Sequence, residues 1–235
     1  MPLSRSGLSP GLRIGILGGS FNPAHDGHVH ISRLAKARLD LDQVWWLVSP
    51  QNPLKARTGM KPLAERLRLA EALDLPHFIR VTDLETRLGT RYTADTLAKL
   101  HRRYPGLQFV WLMGADNLAQ IHRWKRWHEI FTKTPIAVID RPSYANRSLS
   151  APGAMRFAAS RHPAEAAATL PGRKAPAWCF LHVRTHPASA TAIRARSSAG
   201  AASAGAASGG PKTGDPKSGG PDSGGSGSLA TGRAA

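Results

Sequence analysis

The sequence predicts an α/β domain, a parallel β-sheet covered by helices on both faces. Three observations predict it. Short apolar runs rich in branched and aromatic residues alternate with longer stretches of helical periodicity. The first two runs begin 30 residues apart, at Arg13 and Gln43, the span of one βαβ unit. The runs are also continuously apolar, as strands buried on both faces must be.

The elements follow in order. Arg13–Leu17 (RIGIL) opens the domain as a buried strand, and a helical pattern follows over about Gly27–Leu39. Gln43–Ser49 (QVWWLVS) is the second strand and Pro62–Leu73 the second helix. His77–Val81, a helix over Thr93–Tyr104, and Gln108–Met113 (QFVWLM) continue the alternation. A helical stretch after Asp116, the strand Pro135–Asp140 (PIAVID) and the strand Trp178–His182 complete it, with one helix between loops expected in 141–176. No internal repeat is present. In such a sheet ligands bind beyond the carboxyl ends of the strands.

Residues 13–196 are expected to form this one domain. Residues 1–12 (MPLSRSGLSPGL) lack periodicity and are expected to be a loose, disordered leader; with no continuous apolar segment they are not expected to be a signal peptide. Residues 197–235 contain a single leucine and no aromatic residue, too little to offset the entropy of ordering, and are expected to be a disordered Ala/Gly/Ser/Pro-rich tail. No apolar stretch approaches the roughly 18 residues of a membrane helix. The single cysteine, Cys179, lies within the strand-like APAWCFLHV and reads as a core thiol. The expected location is the cytoplasm.

The formal charge is +17, of which the tail carries only +1. Residues 146–196 hold eight basic side chains against Glu165 alone. Such a surface attracts nucleotides, nucleic acids or acidic membranes without choosing among them.

The chemistry concentrates in GGSFNPAHDGHVHI, residues 18–31. It leaves the first strand and opens the first helix, as a phosphate-binding turn should. Gly18 and Gly19 let backbone N–H groups approach an anion, and the helix start adds a positive dipole end. The spacing is neither G-x-G-x-x-G nor a P-loop with its lysine. His25 and His28 stand instead where side chains reach phosphate oxygens, and two donors aimed at one phosphorus would stabilise charge developing in an in-line displacement. Alternatively, His25 is a turn residue and His28 a solvated helix residue. His25, His28 and His30 crowd together, but no nearby Cys or Glu completes a zinc site.

GGSFNPAHDGH, followed far downstream by SATAIR, resembles the nucleotidyltransferase superfamily with the H-x-G-H signature. The second element matches its S-x-x-x-x-R pattern at Ser189 and Arg194, with Thr191 between them. NPLK with Lys55, RYTADTL with Tyr92 and Thr93, and GADNLAQIHRW with Gly114, Asp116 and Trp124 narrow the resemblance to the bacterial nicotinate-nucleotide adenylyltransferases, over about residues 13–196. The family's frequent I-S-S-T becomes Ala188, Ser189, Ala190, Thr191 here, so one hydroxyl is missing. The sequence also turns to Ala/Gly/Ser soon after Arg194, where relatives continue in a helix.

The resemblance implies a Rossmann-like fold and adenylyl transfer from ATP to nicotinate mononucleotide, giving deamido-NAD and pyrophosphate in NAD biosynthesis. It makes His25, His28 and Arg194 catalytic. ATP would meet Gly19, Ser20, Phe21, His25, His28, Gly114, Asp116, Ser189, Thr191, Ile193 and Arg194. Nicotinate mononucleotide would meet Ser20, Phe21, Asn22, Lys55, Tyr92, Thr93 and Trp124. Magnesium (Mg2+) would arrive on the ATP phosphates, with no metal held by the protein itself. Nicotinamide mononucleotide, or the acceptor of another adenylyl- or cytidylyltransferase of the superfamily, is the alternative substrate. A different class is also open: HRWKRWH, residues 122–128, interleaves basic and aromatic side chains in a manner that suits single-stranded nucleic acid.

Overall fold

The computed structural model describes residues 8–50, 59–141 and 144–182. In chain order they form β1 (Arg13–Gly19), α1 (Asp26–Leu39), β2 (Gln43–Val48), α2 (Leu63–Glu71), β3 (Ile79–Thr82), α3 (Leu84–Arg87) and α4 (Thr93–Arg103). Then come β4 (Gln108–Gly114), α5 (Ala115–Leu118), α6 (Trp127–Lys133), β5 (Ile136–Ile139), α7 (Ala145–Leu149), α8 (Pro152–Arg156), β6 (Arg161–His162) and β7 (Trp178–Leu181). Segments of 3-10 helix lie at Ile121–Arg123, Ala158–Ser160 and Ala164–Gly172.

The seven strands form one sheet in the order β3-β2-β1-β4-β5-β7-β6, and every pairing is parallel. Alternate residues of each central strand serve opposite faces, because a strand's side chains have period two. Ile14, Ile16, Trp45, Leu47, Phe109, Trp111 and Met113 face one core, where Leu97, Leu100, Ile130 and Phe131 of α4 and α6 cover them. Val44, Trp46, Val48, Val110 and Leu112 face the other, under α1, α2 and the segment Ala164–Gly172. Burial on both sides explains why β2 and β4 carry no polar alternation.

The chain winds outward in one direction from β1 to β2 and β3, then returns to place β4 on the other side of β1. That reversal opens a crevice beyond the carboxyl ends of β1 and β4. The two strands sit unusually close in side-chain terms at Gly18, where a Cβ would lie 2.4 Å from the Cη2 of Trp111. Glycine there lets the indole cross β1.

Leu8 and Leu12, inside the expected leader, pack against the α4/α6 core, and Gly11 N donates to Gly106 O at 2.7 Å. The single helix expected in 141–176 is replaced by short pieces, α7, α8 and the two later 3-10 segments, together with the two-residue strand β6. The expected tail, 197–235, lies outside the described residues. Among the described residues no helix is long and apolar enough to cross a membrane.

Candidate active site

A cavity of about 510 Å³ occupies the crevice between the ends of β1 and β4. Its floor is the turn after β1. Phe21 takes a left-handed conformation with φ 45°, which costs a non-glycine residue about 1–2 kcal/mol. Packing holds it there. The ring is 2% exposed, stacks on Trp46 with centroids 5.0 Å apart and meets His28 at 4.7 Å. Asn22 ties the turn to the next connection: its Nδ2 donates to Gly59 O at 2.9 Å and its Oδ1 accepts from Lys61 N at 3.2 Å.

Below the turn lies Arg66 of α2, 1% exposed. Its guanidinium donates to four backbone carbonyls: Ser20 at 2.6 Å, Ser49 at 2.8 Å, Pro50 at 3.0 Å and Lys61 at 2.9 Å. Burial pulls its pKa below the usual guanidinium value.

The two signature histidines cap α1. Gly27 N donates to His25 Nδ1 at 3.1 Å, and His25 N donates to His28 Nδ1 at 3.2 Å, a reciprocal capping box. Each Nδ1 is therefore an acceptor, which places the proton of each neutral ring on Nε2. The rings lie 3.9 Å apart by centroid, tilted by 40°. Behind them, Trp46 Nε1 donates to Ser32 Oγ at 2.8 Å, and Ser32 Oγ donates to His28 O at 2.8 Å. The start of a 14-residue helix thus presents two imidazoles in fixed tautomers alongside its positive dipole end.

The opposite wall is built on β4. Asp116 Oδ1 and Arg141 Nε form an ion pair at 3.1 Å, off the line of a directed hydrogen bond. Gly114 makes room for both: a Cβ there would lie 2.3 Å from Asp116 Oδ1 and 2.7 Å from Arg141 Nε. Glu85, 6% exposed, accepts hydrogen bonds from the side chains of Ser49 and Thr96, and burial raises its carboxyl above the ordinary carboxylate range despite them. At the rim, Arg91 and Lys125 flank the Tyr92 ring at 5.8 and 4.7 Å, and Arg123 lies nearby. None of these three cations is ion-paired among the described residues. Arg126, by contrast, is paired with Asp95 and Glu129.

Gly19, Ser20, Phe21, Asn22, His25, His28, Tyr92, Thr93, Gly114, Asp116 and Trp124, gathered from three distant parts of the chain, all line this one cavity. Lys55, Ser189, Thr191, Ile193 and Arg194 lie outside the described residues. Ser49, Glu85, Arg91, Trp111 and Arg141 also line it and carry no signal of their own in the sequence, and Lys125 joins them from the HRWKRWH segment. Arg66 had a signal. It falls with Leu63, Leu67 and Ala70 on the helical stripe that α2 turns to the core. Among the described residues no three His, Cys, Asp or Glu side chains converge as a metal cage.

Residues 16–196 match the cytidylyltransferase-like family model. A curated relative from Methylorubrum extorquens, named "Probable nicotinate-nucleotide adenylyltransferase", is 54% identical over 185 residues, covering 79% of this chain and 100% of its own. The chain belongs to the nicotinate-nucleotide adenylyltransferases, within the cytidylyltransferase-like family. A second such adenylyltransferase, from Caulobacter sp. (strain K31), is 50% identical over 189 residues, 80% of this chain and 100% of its own. The fold is also that of the Plasmodium falciparum nicotinic acid mononucleotide adenylyltransferase solved with NaAD, at a TM-score of 0.59 and 16% identity over 78% of this chain and 83% of that one. Like other members of the family, the chain is an enzyme, a nucleotidyltransferase.

Proposed function

We propose that the crevice joins ATP and nicotinate mononucleotide, releasing pyrophosphate and leaving deamido-NAD. The observation that carries the reading is the pair of capped histidines at the mouth of α1, set beside the turn after β1 on the wall of the same cavity. The acceptor's 5′-phosphate is largely ionised near neutral pH, so the reaction needs no strong base. Catalysis rests on holding the attacking oxygen in line with the α-phosphorus and on stabilising the charge that builds there. The Nε2–H groups of His25 and His28 supply that stabilisation, and the leaving pyrophosphate departs without a covalent enzyme intermediate. Arg194, Ser189 and Thr191 are assigned to the pyrophosphate side by their match to the family pattern.

Asp116 accepts from ribose hydroxyls of ATP, oriented by Arg141. Trp124 and Tyr92 border the pyridine ring, and Lys55 pairs with phosphate. Arg91, Arg123 and Lys125, without an ion pair among the described residues, favour the acidic acceptor over its amide. Trp124 and Lys125 both border the cavity, so the HRWKRWH segment is accounted for without nucleic acid. Magnesium enters as part of the ATP substrate and neutralises charge along its phosphates. The donors at the turn are imidazole nitrogens and backbone N–H groups, which suit phosphate oxygens, whereas that ion takes oxygen ligands and water.

The test is pyrophosphate release from ATP and magnesium with nicotinate mononucleotide, nicotinamide mononucleotide and phosphopantetheine in turn. Release confined to the first supports the reading. Equal or better turnover of the amide overturns the acid preference, and release with none overturns the reaction.

A further inference from the structure

We propose that Arg66 is a positioning residue for phosphate binding: its buried guanidinium fixes the turn after β1 in the form that meets ATP and places an unbalanced positive charge behind it. This rests on the reading of the crevice as an ATP site.

Two observations carry it independently. The first is the set of partners. A guanidinium buried to 1% exposure ordinarily needs a carboxylate, yet Arg66 has four carbonyl partners and no ion pair among the described residues. Carbonyl dipoles satisfy its N–H donors without cancelling its net charge. An arriving polyanion would.

The second is the backbone of the turn. Ser20 O points at Arg66 Nη1, 2.6 Å away. In a trans peptide the C=O and the following N–H point in opposite directions, so the N–H of Phe21 faces away from the guanidinium. Phe21 is the residue held at φ 45°, and Ser20, Phe21 and Ser49 line the cavity while Arg66 does not. Arg66 therefore stands one layer behind the wall. It draws the Ser20 carbonyl oxygen, which would repel phosphate, out of the cavity and leaves the Phe21 N–H on the side where phosphate binds.

The same guanidinium joins the carboxyl ends of β1 and β2, through Ser20 and through Ser49 and Pro50. Lysine would keep the charge but lacks the planar fork that reaches several carbonyls at once. Charge and geometry can thus be separated by substitution.

The experiment is equilibrium binding of ATP and of adenosine to the full chain, for wild type, Arg66→Lys and Arg66→Met, with thermal melts alongside. Adenosine lacks the phosphates and reports the rest of the site. ATP binding should weaken about tenfold or more in Arg66→Met and by less in Arg66→Lys, while adenosine binding stays within about twofold in both. Should Arg66→Met fail to fold, Arg66→Lys decides alone, with an ATP loss of about threefold and unchanged adenosine binding as the supporting result. ATP affinity equal to wild type in a folded variant overturns the proposal, as does a parallel loss of both ligands. A wild-type chain that does not bind ATP overturns the functional reading and this inference together; loss of the inference alone leaves wild-type ATP binding intact.

Discussion

His25 and His28 each accept, through Nδ1, a backbone N–H at the start of α1: that of Gly27 for His25, and that of His25 for His28. One interaction caps the helix and sets the tautomer of the imidazole. The side chains proposed to act on phosphate are therefore oriented before any ligand arrives. His28→Ala should lower kcat by about 10²–10³, the usual effect of removing one donor to transition-state charge. It should cost only about 1 kcal/mol of stability as a lost cap. Pyrophosphate release and a urea melt on the same sample check both. A variant that keeps near-normal turnover would remove His28 from the chemistry.

Gly114→Ala should damage the ribose side without touching the histidines. The added methyl would meet Asp116 Oδ1 at 2.3 Å and Arg141 Nε at 2.7 Å, so that ion pair must move. The expected result is a raised KM for ATP, with a stability loss of about 1–3 kcal/mol from overpacking. Unchanged KM would show that Asp116 does not need its present position.

Glu85 should make stability depend on pH in a direction opposite to that of a paired carboxylate. Burial raises its carboxyl, so the folded chain holds the proton more tightly than the unfolded chain. Its contribution is complete below the ordinary carboxylate range and is lost as pH rises through the raised value. Glu85→Gln cannot ionise. Its urea midpoint relative to wild type should therefore improve as pH rises from the ordinary carboxylate range through the raised value, and a difference that stays level as pH rises would count against the assignment.

The Cys179 thiol is fully buried and pushed up to about 12, so it should not react with a thiol reagent in the native state. Reaction should follow unfolding, at the unfolding rate. Stoichiometric labelling of the folded chain within minutes would contradict the placement of this residue in β7.

The strands were legible because burial on both faces leaves a strong trace: QVWWLV and QFVWLM can hardly sit elsewhere than in a sheet interior. Arg161–His162 left none. Two polar residues at the sheet edge carry no apolar run, and they pair only because β7 is already in place beside them. The same distinction governs the site. His25 and His28 announce themselves through glycine spacing and position after a strand. Arg141 acquires meaning only through its approach to Asp116, 25 residues away in the chain, over the space Gly114 leaves open. Glu85, in a four-residue helix, likewise becomes unusual only once Ser49 and Thr96 enclose it.

The uniform direction of the strands gives the sheet a front and a back. Gly11 and Gly106 meet at the amino ends of β1 and β4, whereas the cavity opens at the carboxyl ends. The seven residues of β1 separate the two by about 20 Å. A surface linker or fluorescent label attached through the segment before β1 would thus hold the protein from behind, leaving the crevice turned toward the solution.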